Sequence, residues 1–317
     1  MKRFLIIFLT VVSLALLCAS FLGFASSASW FFDLFNHFRV QFLVAGVLGL
    51  SLGLVLQSKP LTWIFATTAL VNVLFIAPLF LPQPDQPKSS TGLSIVSYNT
   101  WIHNGHWAAV RPMLQADDPD IVFLTETHPN IQTGVHALDS DFHIFQLGTD
   151  VLLVRRRAGL DPKLIQTSAD DGIAGIPVKF SVDGVEVILL AVHPAAPLSS
   201  TFAATRDQSF AAIASFLANH KGLKIVVGDF NATPWSRPFR VLQEQTGLVN
   251  SQKGFGIQST WPSYPGSKFN WLLRIPIDHC LHSPSVYTID RRVGGSGSSN
   301  HNPIFIRLGL STSTAAG

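Results

Sequence analysis

Lys224-Ile-Val-Val-Gly-Asp-Phe-Asn-Ala-Thr-Pro234 sets a short β-branched run directly against a carboxylate, Asp229, and an amide, Asn231. Consecutive Ile and Val residues favour a buried strand, and the Gly-Asp-Phe-Asn that follows has the composition of a turn. The segment therefore predicts a strand over 224–227 that ends in two chemically useful groups. Working outward, the same arrangement recurs. Asn99 closes the run Leu93–Tyr98, Glu126 follows Ile121–Leu124 across one threonine, and His193 closes Val185–Val192. Val151–Val154 and Ile304–Leu308 are further strand candidates, with His301 just before the last, and Asp278 lies in Pro-Ile-Asp-His-Cys-Leu. Amphipathic spacing predicts helices over Trp107–Gln115 and Thr205–His220, the second stopped by Gly222. Short strands interleaved with helices point to an α/β sandwich.

Singly, each polar residue has an ordinary explanation: a solvated strand end, a structural histidine or a turn. Together their types complement one another. Carboxylates hold a hard cation, amides orient a phosphate, and imidazoles balance charge on a five-coordinate phosphorus. If the strands share a sheet, these groups converge at one edge.

Six elements occur in order: Ser97-Tyr-Asn99, Asp120-Ile-Val-Phe-Leu-Thr-Glu126, His193-Pro194, Gly228-Asp-Phe-Asn-Ala-Thr-Pro234, Ile277-Asp-His279 and Ser299-Asn-His-Asn-Pro303. In them the chain resembles the endonuclease/exonuclease/phosphatase superfamily over about residues 92–310, and its membrane-anchored bacterial branch most. The resemblance implies a four-layer α/β sandwich, two packed β-sheets flanked by helices. It also implies Glu126 as main metal ligand with Asn99 as its neighbour, and Asp229 as the group that orients and deprotonates the attacking water. Asn231 would position that water or a phosphate oxygen, His193 and His301 would stabilise the charged phosphorane, and Asp278 would fix the tautomer of His301. Oxygen ligands without a cysteine cluster favour Mg²⁺, with Mn²⁺ as the alternative. Asn300 stands where the family carries an aspartate, so a second metal contact there would be a neutral amide.

The first part of the chain is of another kind. Phe4–Phe24, Val40–Gln57 and Leu61–Leu81 are apolar runs free of charge, each long enough to cross a hydrocarbon core of about 30 Å. They predict a membrane domain over 1–82 with three transmembrane helices, a Pro-rich linker over 83–91 and a catalytic domain over 92–317. A cleavable signal, with Lys2 and Arg3 before the apolar core, is the alternative for the first run. Leu17 before Cys18 argues against a lipobox. Lys2, Arg3 and Lys59 on one side against Arg39 and Lys88 on the other place the N-terminus in the cytoplasm and the catalytic domain outside a bacterial cytoplasmic membrane.

Of 22 basic and 19 acidic residues, five and two precede Gly92, which leaves 17 of each in the distal domain. A neutral domain lacks the broad basic footprint of a duplex-DNA binder. The expected partners are therefore the bilayer and a phosphate-ester substrate, a lipid headgroup or small ester before nucleic acid, and no protein partner is expected. Cys18 and Cys280 cannot build a zinc site and are far apart in sequence. His103, His106, His128 and His143 read as surface or loop residues, Arg155–Arg157 as a solvated strand end, and Cys280 as core. Arg206 is read as a helix residue within possible reach of substrate. A catalytically weak extracytoplasmic binding module of the same fold is the competing function, and the near-complete constellation argues against it. Transport by the spans lacks an intramembrane charge to mark a path.

Overall fold

The computed structural model describes residues 2–83, 91–115, 118–157, 160–168 and 171–310. The N-terminal part is helical: α1 (Lys2–Leu22), α2 (Trp30–Asp33), α3 (Arg39–Val55) and α4 (Lys59–Ile76). Three stretches here, Arg3–Ala25, Trp30–Val55 and Lys59–Phe80, are long and apolar enough to cross a membrane. Small residues let helix backbones approach closely. Gly46, Gly49 and Gly53 do this for α3, since a Cβ at each would collide with Ala69, Phe65 and Thr62 of α4. Leu48, Val55, Trp63 and Leu74 point outward and remain exposed.

The distal part begins with β1 (Thr91–Asn99), α5 (Trp107–Gln115), β2 (Ile121–Thr125), α6 (Pro129–His136), β3 (Phe142–Leu147), β4 (Asp150–Arg155) and β5 (Lys163–Leu164). It continues through β6 (Gly175–Val182), β7 (Val185–Val192), α7 (Ser200–Ala218), β8 (Leu223–Asp229), α8 (Arg237–Thr246) and β9 (Val249–Asn250). The last elements are α9 (Asn270–Leu273), β10 (Asp278–His282), β11 (Val286–Val293) and β12 (Ile304–Leu310). The strands form two sheets, in the orders β11-β12-β1-β2-β4-β3 and β5-β6-β7-β8-β10-β9.

Alternation along each strand decides the layering. Ile95, Phe123, Leu189 and Val227 face the space between the sheets. Their sequence neighbours Val96 and Leu124 face α5 and α6, while Leu190 and Val226 face α7 and α8. Both faces of the central strands are thus apolar, as a four-layer sandwich requires. Fully burying one such side chain is worth about 1.5–3 kcal/mol. Gly228 lies at φ 150°, and a Cβ there would overlap the Val192 carbonyl, so glycine alone lets β8 lie against β7 just before Asp229.

Strand direction gathers the polar residues. β1 and β2 run parallel, as do β7 and β8, so their C-terminal ends share one edge. β4, β10 and β12 are antiparallel to those strands and begin at that edge. The edge therefore collects the last residues of four strands and the first residues of three others.

The six predicted strands appear, Val185–Val192 at its expected bounds and the others extended by one to three residues, whereas β3, β5, β6, β9, β10 and β11 were not expected. Helix α7 starts at Ser200 rather than Thr205, because the Ser199 hydroxyl accepts the Phe202 N–H at 3.2 Å and caps an earlier turn. The expected linker falls largely on 84–90, outside the described residues. The two parts nevertheless abut directly. Gly254 and Gly256 donate to the Leu79 carbonyl at 2.8 and 3.0 Å, Gln83 bonds Lys253 and Thr288, and Ile76 and Leu79 pack on Trp235.

Candidate active site

Asn99, Glu126, His193, Asp229, Asp278 and His301 meet at the common edge. Asn99 donates its amide N–H groups to Glu126 Oε1 at 2.8 Å and to Asp229 Oδ2 at 3.1 Å. Its Oδ1 accepts the Trp101 N–H at 3.0 Å, which fixes the amide that way round. Asn99 thus turns nitrogen, not oxygen, toward the carboxylates, and in this geometry it orients them. Asp229 and Asp278 are direct partners across β8 and β10. His301, one loop before β12, bonds Asp278 Oδ2 through Nδ1 at 3.0 Å and places Nε2 3.7 Å from Asp229 Oδ2.

Local backbone strain supports the arrangement. Glu126 and Asn231 adopt φ 50° and 48°, a region that costs a residue with a side chain energy and persists where its surroundings hold it. Asn231 is held by its own N–H on Asp229 Oδ1 at 2.8 Å and by Nδ2 on the Pro194 carbonyl at 3.0 Å. The second bond ties the loop after β8 to the loop after β7. Ser299 ties the other sheet in, donating to the Asn99 carbonyl at 2.8 Å and accepting the His301 N–H at 3.0 Å.

Asp150, at the start of β4, was not among the expected site residues. Both of its carboxylate oxygens lie 3.2 Å from His193 Nδ1, and Oδ1 also accepts the Glu126 N–H at 3.2 Å. His193 and His301 therefore share one design: an aspartate on Nδ1, and Nε2 turned into the site toward another carboxylate, Glu126 or Asp229, 3.7 Å away.

The electrostatics follow from this pairing. Burial alone would depress the basicity of His193, but the hydrogen bond and charge of Asp150, with Asp229 and Glu126, raise its pKa to about 9. His301 is raised too: burial opposes protonation, and the charges of Asp278 and Asp229 outweigh it. Both imidazoles are thus biased toward the cation. The Asp229 carboxyl is shifted upward by burial and by the neighbouring charge of Asp278, with the two histidines pulling the other way.

Glu126, His193 and Asp229 offer ligand atoms within 4.8 Å of one another, and so do Asp229, Asp278 and His301. The Glu126 side chain is 32% exposed and that of Asp229 only 1%, so the first group is reachable from solvent. Asp278 Oδ1 is buried without a hydrogen-bond partner. A concentration of oxygen donors with more negative charge than the site neutralises fits a hard divalent cation.

The profile of the Endonuclease/Exonuclease/phosphatase family matches residues 96–301, which run from β1 to the histidine before β12. The chain belongs to this family. Its fold is the family's two helix-flanked sheets. D. rerio TDP2, solved with a single-stranded DNA product, is 15% identical and superposes with a TM-score of 0.57, over 69% of this chain and all (100%) of that one. An endonuclease/exonuclease/phosphatase family protein from Bacteroides thetaiotaomicron is 15% identical, with a TM-score of 0.56 over 71% of this chain and 100% of that one. The human Nocturnin catalytic domain with bound sulfate gives 13% and 0.53, over 70% of this chain and 97% of that one. No curated protein matches the sequence.

Other residues singled out earlier lie elsewhere. Arg206 is not turned toward substrate: it is 1% exposed, paired with Asp207 at 2.9 Å and near Asp33 at 3.7 Å, because helical spacing puts it on the same buried face of α7 as Phe210 and Ile213. Arg155 pairs with Asp118 at 2.9 Å and lies over the Phe142 ring, Arg156 pairs with Asp139 and Arg157 with Asp120, all at the opposite end of β4 from Asp150. His103 and His106 are exposed, His128 caps α6, and Cys280 is buried between the sheets. Asn300 is nearly buried, and its backbone carbonyl accepts the Ser263 N–H at 2.6 Å.

Proposed function

We propose that this protein is a membrane-anchored, divalent-metal-dependent hydrolase of phosphate esters. The observation that carries the reading is the pair of aspartate-backed imidazoles, His193–Asp150 and His301–Asp278, facing two carboxylates, Glu126 and Asp229, across the amide of Asn99. Glu126 would hold the ion, with Asn99 orienting its carboxylate and Asn300 at the margin of the site. Mg²⁺ or Mn²⁺ would supply Lewis-acid polarisation of a phosphoryl oxygen. Buried Asp229, with its raised pKa, suits the task of taking a proton from water as the water oxygen bonds to phosphorus. The opposite P–O bond then breaks and its oxygen leaves as the alcohol after taking up a proton. Asn231, pinned to the Pro194 carbonyl, positions water or phosphate, and cationic His193 and His301 stabilise the charge of the phosphorane.

The full chain suits the test because the distal domain is docked on the helices. In detergent with Mg²⁺ or Mn²⁺ it should hydrolyse bis(p-nitrophenyl) phosphate or another member of a panel of DNA, RNA, sphingomyelin and phosphoinositides, and lose that activity in chelator. Metal-independent turnover, or none on any substrate, refutes the proposal. A lipid headgroup or small ester is the preferred substrate, on the formal neutrality of the distal domain.

For topology, we expect the N-terminus inside and the catalytic domain outside a cytoplasmic membrane. A phosphatase reporter after Gly317 should be active and a cytoplasm-only fluorescent reporter there dark, and the opposite pair reverses the assignment.

Asn300 supplies a further expectation. If its amide borders the ion, a neutral group replaces a charged one, and affinity for a divalent cation falls while geometry is kept. Asn300→Asp should then lower the Mg²⁺ concentration for half-maximal activity with little change at saturation. Indistinguishable half-saturation points would remove Asn300 from the metal site.

A further inference from the structure

We propose that an apolar groove between the Trp30–Phe38 segment and the loop after His193 receives the hydrocarbon chain of a bilayer phospholipid, whose phosphate ester the neighbouring site hydrolyses. The inference rests on the hydrolase reading and adds to it the class of substrate and its route of entry.

The groove has a volume of about 390 Å³, within the usual range for ligand sites. Trp30, Leu34 and Phe38 from the segment before α3, Pro197 and Leu198 from the loop after His193, and Ile275 line it. No Lys, Arg, Asp or Glu lines it, so it offers nothing to a polyanion and suits an uncharged apolar ligand. At one end it reaches the active site: Asn231 and Trp261 belong to its lining, and the Trp261 ring centroid lies 6.4 Å from that of His301.

Trp30, Leu34, His37 and Phe38 of the lining belong to the part of the chain that holds the candidate membrane spans. Trp30–Phe38 joins α1 to α3, and Trp30 begins a candidate membrane span. Leu198 is 82% exposed at the rim. Phe269, Trp271, Leu272 and Leu273 around α9, a few residues before the lining residue Ile275, are also exposed, and Gln41 of α3 donates to the Leu272 and Arg274 carbonyls at 3.3 and 3.2 Å. An exposed aromatic and aliphatic knob fastened to the first turns of a span belongs at the membrane interface. The groove thus runs from the level of the bilayer surface to the catalytic residues.

His37 adds an independent sign. It lines the groove, is 5% exposed, and neither ring nitrogen has a hydrogen-bond partner. Buried polar groups of this kind are ordinarily satisfied. A phospholipid supplies the missing partner, because an ester oxygen stands between its phosphate and its chain. A soluble phosphate ester would leave both the apolar walls and His37 unused. A lipid drawn from the membrane needs such walls, since each methylene moved into water instead would cost about fourfold in binding.

The test uses the full chain with Mg²⁺ on dioleoyl and dihexanoyl forms of phosphatidylglycerol, phosphatidylethanolamine and phosphatidic acid, with bis(p-nitrophenyl) phosphate alongside. At least one dioleoyl lipid should be cleaved with kcat/KM about tenfold or more above its dihexanoyl form. Leu198→Glu, at an exposed position, and Ala196→Phe, which narrows the groove, should each collapse that ratio. In chelator, where no turnover occurs, phosphatidylglycerol carrying a photoreactive diazirine at its chain end should label Trp30–Phe38 and Ala196–Leu198. Equal rates on long and short chains, cleavage of bis(p-nitrophenyl) phosphate alone, or a ratio retained in both variants overturns the groove and leaves the hydrolase standing. Failure on every substrate, the activated ester included, removes both.

Discussion

Asp229→Ala is expected to lower metal-dependent turnover about 10²–10⁴-fold, the range for losing a positioned general base or a preorganised charge. The size follows from how much meets at this side chain. Asp229 accepts the Asn231 N–H through Oδ1 and the Asn99 amide through Oδ2, faces His301 at 3.7 Å, and pairs across the sheet with Asp278. Its removal takes away the proton acceptor and releases the backbone of Asn231, which sits at φ 48° only because its surroundings hold it there. The loss should appear mainly in kcat, since the proposed role is exercised on the attacking water and not on substrate binding. Asp229→Asn separates the two contributions. It keeps a hydrogen-bond acceptor for Asn231 but cannot take a proton, so it should retain the fold and still lose most of the rate. Wild-type turnover in Asp229→Ala at equal protein level would end the mechanism.

Much of this site was legible because parallel strands announce their functional ends. Asn99, Glu126, His193 and Asp229 each follow an apolar run, and the pairing of β1 with β2 and of β7 with β8 brings those ends to one edge. Asp150 escaped for the converse reason. Antiparallel β4 begins at that edge, so Asp150 precedes the run Val151–Val154 and reads as an ordinary turn before a strand. Asp278 stands likewise at the start of β10 and was found through its motif. An α/β sandwich was legible in the short strands interleaved with helices, and its four layers through the family resemblance. The contact between helices and distal domain was not, because Leu79 meets Gly254 and Gly256 through backbone groups and Ile76, Gln83 and Asp33 meet partners some 160 to 200 residues away, which no local pattern announces. The groove was hidden for a related reason, since Trp30, Leu198 and Ile275 are remote in sequence and meet only once the domain docks.

Arg206→Met should destabilise the protein by about 3–5 kcal/mol, the usual consequence of removing one partner from a buried ion pair. The guanidinium is 1% exposed, and besides Asp207 it donates to the Asn231 carbonyl at 3.4 Å. Its third neighbour, Asp33, comes from the segment between α1 and α3 and is itself almost wholly buried. Asp33 also accepts the Arg237 N–H at 2.8 Å and the Asn36 amide at 3.0 Å. One arginine therefore links the segment between α1 and α3, the helix after the His193 loop and the backbone of a site residue. Methionine keeps most of the volume, so the loss would measure charge and not a cavity. It strands the Asp33 carboxylate, whereas adding Asp33→Asn should recover part of the stability, because the residual pair is then neutral. Thermal unfolding of the full chain in detergent reads both, with a fall of roughly 10 °C expected for the single variant. If Arg206 contacted substrate, as its place after the His-Pro loop first suggested, the change would raise KM and leave Tm within a degree or so of wild type. The double variant would then be no more stable than the single one, and the buried junction would have to be reassigned.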